Sequence, residues 1–147
     1  MTAKTGTKRI LVADDDPQLC QLIHDFLETQ GVETTLASDG EEAVKAANGS
    51  VFNLCIMDYD MPRMNGIAAC EQLRSMPHTA TLPVLFLTAM DDTKSVDQAF
   101  SAGATDFLVK PVNLKLLWNR ISLLMRLSEL DGETQRLKSA IAVLPPA

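Results

Sequence analysis

Short apolar runs that stop abruptly at charged residues constrain this chain more than any other feature. Ile10-Leu11-Val12-Ala13 is followed by Asp14-Asp15-Asp16-Pro17, and Leu54-Cys55-Ile56-Met57 by Asp58-Tyr59-Asp60-Met61-Pro62. Phe107-Leu108-Val109 is followed by Lys110-Pro111. Runs this short, with no polar alternation, suit a strand buried on both faces of a parallel sheet. In such sheets ligands bind in the crevice beyond the carboxyl ends of the strands. Asp14, Asp15, Asp58 and Lys110 all stand at those ends, so three carboxylates and one ammonium are expected to converge on one small site.

Between these runs the spacing turns helical. Leu19, Leu22, Ile23, Phe26 and Leu27 recur at helix period, with Asp16 as N-cap, Pro17 at the first helical position and Gly31 as the stop. Val32 to Ala37 reads as a second strand, and Asp39-Gly40 turns into a helix over Glu41 to Ala47. Ile67 to Met76 is helical, and Pro83 to Thr88 contains the fourth strand. Asp91, Asp92 and Thr93 open a helix carrying Val96, Ala99 and Phe100 on one face, and Gly103 ends it. Thr105 to Val109 forms a fifth strand, and a long helical pattern begins after Pro111. Five successive βα units, joined by right-handed crossovers, fold into a parallel sheet flanked by helices.

Composition narrows the function. The 147 residues suit one domain, and 46% apolar residues are enough for a full core. A net charge of −6 argues against direct nucleic-acid binding, which calls for a basic stripe against the phosphates. No run reaches the roughly 18–20 apolar residues of a membrane span, and the basic start gives way after Ile10–Ala13 to three aspartates, unlike a secretory signal. Cys20, Cys55 and Cys70 are odd in number and lie in apolar contexts, as reduced core residues of a cytoplasmic protein do.

Three aspartates brought together repel one another, so either their pKa values rise or a cation joins them. The candidate ligands are all oxygen donors, and neither His24 nor His78 borders a strand end, which favours Mg²⁺ over zinc. Magnesium usually binds through one or two carboxylates together with a phosphate, and an aspartate can itself be the nucleophile of phosphoryl transfer. Lys110 supplies positive charge for the phosphoryl oxygens, and Thr88, closing Val84-Leu85-Phe86-Leu87, offers a hydroxyl at the same edge. Each signal has a plainer reading: Asp16 is a helix cap, and Asp60 suits an exposed turn before Met61-Pro62.

Together the motifs closely resemble the receiver domain of bacterial two-component response regulators, over residues 8–126. The matching strings run from Ile10 to Pro17, Met57 to Pro62, Met64 to Gly66, Leu87 to Ala89, Ala102 to Ala104 and Phe107 to Pro111. The resemblance implies an α/β, flavodoxin-like (βα)5 doubly wound parallel sheet with strand order 2-1-3-4-5. It implies Asp58 as phosphoacceptor, and Asp14, Asp15 and the backbone carbonyl of Asp60 as further Mg²⁺ ligands. Thr88 and Lys110 would engage the phosphoryl group, with Phe107 as the switch aromatic, small Ala89 leaving access and a cis peptide before Pro111. Asp60 and Met90 hold the two positions that tune phosphoryl lifetime in the family. The donor implied is a sensor histidine kinase. Residues 104–127 are similar to receivers joined to cyclic-dinucleotide enzymes or to kinases, so the chain is expected either to stand alone or to precede such an output domain. Residues 127–147 are too few for a DNA-binding module.

Two rival readings share part of this pattern. A haloacid dehalogenase-like phosphatase also places its nucleophile in an Asp-x-Asp string, as in Asp58-Tyr59-Asp60, but near the chain start and before a cap domain. A flavodoxin-like nucleotide binder needs a Ser-, Thr- or Gly-rich phosphate cradle after the first strand, where this chain has three aspartates. Beyond the receiver, Leu123, Leu130, Leu137 and Leu144 repeat every seven residues, with Leu127, Thr134 and Ile141 four further on. This spacing predicts that residues 127–147 extend the last helix and pair two chains in a short coiled coil, with Gly132 on its outward face and Pro145-Pro146 as its stop.

Overall fold

The computed structural model describes residues 6–89 and 92–142, from 131 onward by backbone alone. Strands and helices alternate along the chain as β1 (Arg9–Ala13), α1 (Pro17–Thr29), β2 (Glu33–Ala37), α2 (Gly40–Gly49) and β3 (Leu54–Asp58). They continue as α3 (Gly66–Ser75), β4 (Val84–Thr88), α4 (Thr93–Ser101), β5 (Asp106–Val109) and α5 (Leu114–Ala142). Every pairing in the five-stranded sheet is parallel, in the order β2-β1-β3-β4-β5, which is the order expected.

Successive side chains of a strand point to opposite faces, so the apolar runs feed two cores at once. Leu11, Ala13, Cys55, Met57, Val84 and Phe86 face one layer, closed by Ala43, Ala47, Ala69, Leu73 and Ala99 from α2, α3 and α4. Ile10, Val12, Leu54, Ile56, Leu85 and Leu87 face the other, closed by Ile23 and Leu27 of α1 and by Leu117, Ile121 and Leu124 of α5. The three cysteines are buried and unbridged.

Aspartate and asparagine side chains start the first four helices by accepting backbone N–H bonds: Asp16 for α1, Asp39 for α2, Asn65 for α3 and Asp92 for α4. Asp91, expected to share the last role, lies outside the described residues, as does Met90. Two assignments of apolar faces change. Leu22 is half exposed, because Cys20, Ile23 and Leu27 are the α1 residues turned to the sheet. On α4, Ala99 is buried and Phe100 is exposed, lying edge-on to Phe107 with ring centroids 6.0 Å apart.

Two close approaches fix the loop after β3. A Cβ on Gly40 would sit 2.2 Å from the Met64 carbonyl oxygen, and one on Gly66 would sit 2.3 Å from that of Asp58. Glycine is required at both because backbone, not a side chain, occupies the space. The helix α5 buries Leu117, Ile121, Leu124 and Met125, then continues without a break past Arg126, as the heptad pattern predicts.

Candidate functional site

Register decides which side chains meet. Ala13 pairs with Ala37 and Met57, Asp58 with Leu87, and Thr88 with Val109, so β1, β3, β4 and β5 all end at one level. The ladder runs one step further through bonds from Tyr59 N–H to the Leu87 carbonyl (2.9 Å) and from Lys110 N–H to the Thr88 carbonyl (2.7 Å). The peptide between Lys110 and Pro111 is cis. These ends bring Asp14, Asp58, Thr88 and Lys110 to one crevice, with Asp15 at its mouth.

Asp14 and Asp58 are almost wholly buried, and each carboxylate touches the half-buried Lys110 ammonium: Asp14 Oδ2 at 3.0 Å and Asp58 Oδ1 at 3.2 Å from Nζ. Asp16 N–H donates to Asp14 Oδ1 at 2.9 Å. Asp14 Oδ2, despite its ion pair, has no aligned hydrogen-bond donor among the described residues. Burial, reinforced by the charge of Asp14, pushes the Asp58 carboxyl up to about 7 against the opposing pull of Lys110. Burial opposes the charge on Lys110, but Asp14 and Asp58 outweigh it and hold its pKa above the ordinary lysine value.

One carboxylate oxygen each from Asp14, Asp15 and Asp58 lie within 4.8 Å of one another. An all-oxygen set of three carboxylates with one ammonium to neutralise them fits a hard divalent cation such as Mg²⁺. Zinc chemistry is disfavoured by the placement of both histidines: His78 Nε2 is 2.9 Å from the Ser50 carbonyl, and His24 lies on α1 against Thr34. A second cluster, His24, Asp25 and Glu28, lies on α1 away from the crevice.

Asp60 is exposed in the loop after β3, and Phe107, half-buried on β5, stands against Phe100. Two contacts near the crevice had no reading in the sequence. Tyr59, next to Asp58, reaches α4 with a 2.7 Å bond from its hydroxyl to Gln98 Oε1. Arg63, at a positive φ of 65°, donates to buried Asp39 through Nε at 2.8 Å and ties the β3–α3 loop to α2. Neither pair is close in sequence or part of a motif, so only tertiary placement reveals it.

The arrangement matches known proteins along most of its length. The family model of the response regulator receiver domain covers residues 10–122. The chain belongs to the response regulator receiver domain family. The receiver is 33% identical over 132 residues to the alkaline phosphatase synthesis transcriptional regulatory protein PhoP of Bacillus subtilis, covering 90% of this chain and 54% of that protein. It is similar to the chemotaxis protein CheY4 of Vibrio cholerae (TM-score 0.78, 28% identity, 81% of this chain and 99% of that one). It is also similar to the receiver domain of the sensor histidine kinase PA1611 from Pseudomonas aeruginosa (TM-score 0.76, 26% identity, 82% and 98%), whose structure has a magnesium ion coordinated in the active site cleft. The chain spans about half the length of the first curated relatives it matches. Family membership sets aside the haloacid dehalogenase-like reading, and the acidic β1–α1 turn sets aside the flavodoxin-like nucleotide binder.

Proposed function

We propose that this receiver accepts a phosphoryl group from the phosphohistidine of a sensor histidine kinase onto Asp58. The observation that carries the reading is the placement of Asp58: buried at the end of a central strand, beside Asp14 and in contact with Lys110. The carboxylate attacks phosphorus, the bond from phosphorus to the kinase imidazole nitrogen breaks, and that nitrogen keeps the electron pair. Lys110, already 3.2 Å from Asp58 Oδ1, takes a phosphoryl oxygen as the new charge forms. Asp14, Asp15, Asp58 and the Asp60 backbone carbonyl would hold Mg²⁺, which when bound offsets the negative charge of carboxylates and phosphoryl group.

Thr88 engages the phosphoryl group through its hydroxyl, and Phe107 turns inward as Thr88 shifts. This is a shift between two pre-existing states, biased by the added charge. Apart from taking phosphate from donors and slowly hydrolysing its own acyl phosphate, with Asp60 near the path of water, the protein is a switch, not a metabolic enzyme. Residues 8–126 form the receiver and residues 127–147 a helical extension. That extension pairs two copies of the chain, and the receiver either stands alone or signals to a cyclic-dinucleotide enzyme or kinase as effector or output domain. The place of action is the cytoplasm, supported by the reduced, buried cysteines and by the want, among the described residues, of any helix long and apolar enough to cross a membrane.

Intact-mass measurement after treatment with a small phosphodonor tests the reading. One phosphoryl adduct is expected with Mg²⁺, and none with chelator or in Asp58→Asn. Beryllofluoride, which mimics the acyl phosphate, should bind only when the divalent ion is present. An equal adduct in Asp58→Asn would overturn the assignment.

A further inference from the structure

The longest helix carries two apolar faces, and the sheet uses only one. Leu117, Ile121, Leu124 and Met125 of α5 are buried against the sheet. Leu116, Leu123, Leu127 and Leu130 lie on a different side of the same helix and are 43%, 51%, 53% and 53% exposed. From residue 127 to 142 the helix projects about 24 Å further. Residues 126–130 are all exposed, and among the described residues the one ion pair tying that stretch to the domain is that of Glu129 with Lys8. Helices in proteins take most of their stability from packing an apolar face, so a helix held this way calls for a partner.

We propose that the second copy of this chain covers this stripe, as a parallel, in-register coiled coil running from Leu116 to Ile141. The inference rests on the pairing through the C-terminal extension proposed above, and adds its orientation, register and contacts. Leu116, Leu123, Leu130 and Leu137 occupy the d positions of successive heptads, and Leu127, Thr134 and Ile141 the a positions. In that register Arg126 and Glu133 fall on g, and Asp131 and Lys138 on e. A parallel dimer sets each g residue beside the e residue five places on in the other chain. Arg126 therefore meets Asp131 of the second copy, and Glu133 meets its Lys138, so both pairs are of opposite sign. Gly132 falls on f, outside the seam. This complementarity between identical segments names the occupant: the stripe is matched to itself. Arg120 and Thr134 at a positions keep the seam weak, so the dimer forms in proportion to concentration. Parallel pairing also sets both receivers at the same end of the coil, on the same side of whatever follows.

Sedimentation of the full chain across a concentration series, without phosphodonor, is expected to show a monomer–dimer equilibrium. Leu130→Lys, at a position exposed in the monomer, should weaken it at least tenfold while intact-mass phosphorylation stays unchanged. Glu133→Lys and Lys138→Glu should each sediment as monomers alone and re-form dimers when mixed in equal amounts. Leu137→Cys should give a disulfide-linked dimer on mild oxidation of the full chain. A chain that is monomeric at every concentration, or a dimer indifferent to Leu130→Lys, overturns the coil. A dimer sensitive to Leu130→Lys that gives no Leu137→Cys crosslink overturns the parallel register. Because these readouts need no phosphate, a chain that dimerises yet takes no phosphoryl group overturns the receiver chemistry and not the coil.

Discussion

Asp58 is held in an uncomfortable state by its surroundings, and that state is measurable. The folded protein binds a proton on Asp58 more tightly than the unfolded chain does, since the carboxyl is pushed up to about 7. The stability this group contributes is therefore fullest below the ordinary carboxylate range and is lost as pH rises through about 7. Asp58→Asn removes the ionisation. In chelated buffer the variant is expected to be more stable than wild type by about 2 kcal/mol near pH ~8, allowing for solvent screening, with the gain vanishing toward pH ~4. Urea denaturation of both proteins across that range checks it. A constant difference would mean that Asp58 ionises as an ordinary surface carboxylate.

At the scale of elements, the proposed switch at Asp58 offers two sharp tests. The chain turns from β3 into α3 so closely that a Cβ on Gly66 would stand 2.3 Å from the Asp58 carbonyl oxygen. Gly66→Ala must push that backbone aside, and is expected to cost about 3 kcal/mol in denaturant unfolding. It should also slow phosphorylation by displacing Asp58 itself. A near-neutral Gly66→Ala would show that the turn has room to relax. The second test concerns β4 and β5. Thr88→Ala should still accept phosphate but leave Phe107 beside Phe100, because the hydroxyl proposed to follow the phosphoryl group is gone. Crystal structures of beryllofluoride-treated wild type and variant would settle it, and an inward Phe107 in both would separate the two residues.

At the scale of the whole molecule, the crevice is a charge-balance problem that a cation would solve. Asp14, Asp15 and Asp58 present more negative charge than Lys110 neutralises, and the buried Asp14 Oδ2 lacks an aligned donor among the described residues. On the proposed reading Mg²⁺ would bind the folded crevice and not the unfolded chain. At about ten times its dissociation constant it should therefore add about 1.4 kcal/mol, a rise of about 5 °C in Tm. Calorimetry of wild type against an Asp14→Asn, Asp15→Asn double variant checks it. If the variant gains as much, the ion binds elsewhere, and the α1 cluster of His24, Asp25 and Glu28 is the next place to look.

The sequence by itself determined the sheet, its parallel sense and the meeting of Asp14, Asp58, Thr88 and Lys110 at its carboxyl edge. Short apolar runs with no alternation, bounded by charged and turn-forming residues, suit strands buried on both faces, and the handedness of βα crossovers does the rest. The start of α1 was equally legible, because its cap Asp16 acts through neighbours two or three residues away. Tertiary structure alone decided which apolar residues each helix spends on the core. Leu22 and Ile23 carry the same local signal, and only the angle at which α1 lies on the sheet buries one and exposes the other. It also decided the pKa of Asp58, the tie from Tyr59 to Gln98 and the clasp of Arg63 on Asp39. Each depends on dielectric, distance or loop path set by segments far apart in the chain, and no local pattern encodes those.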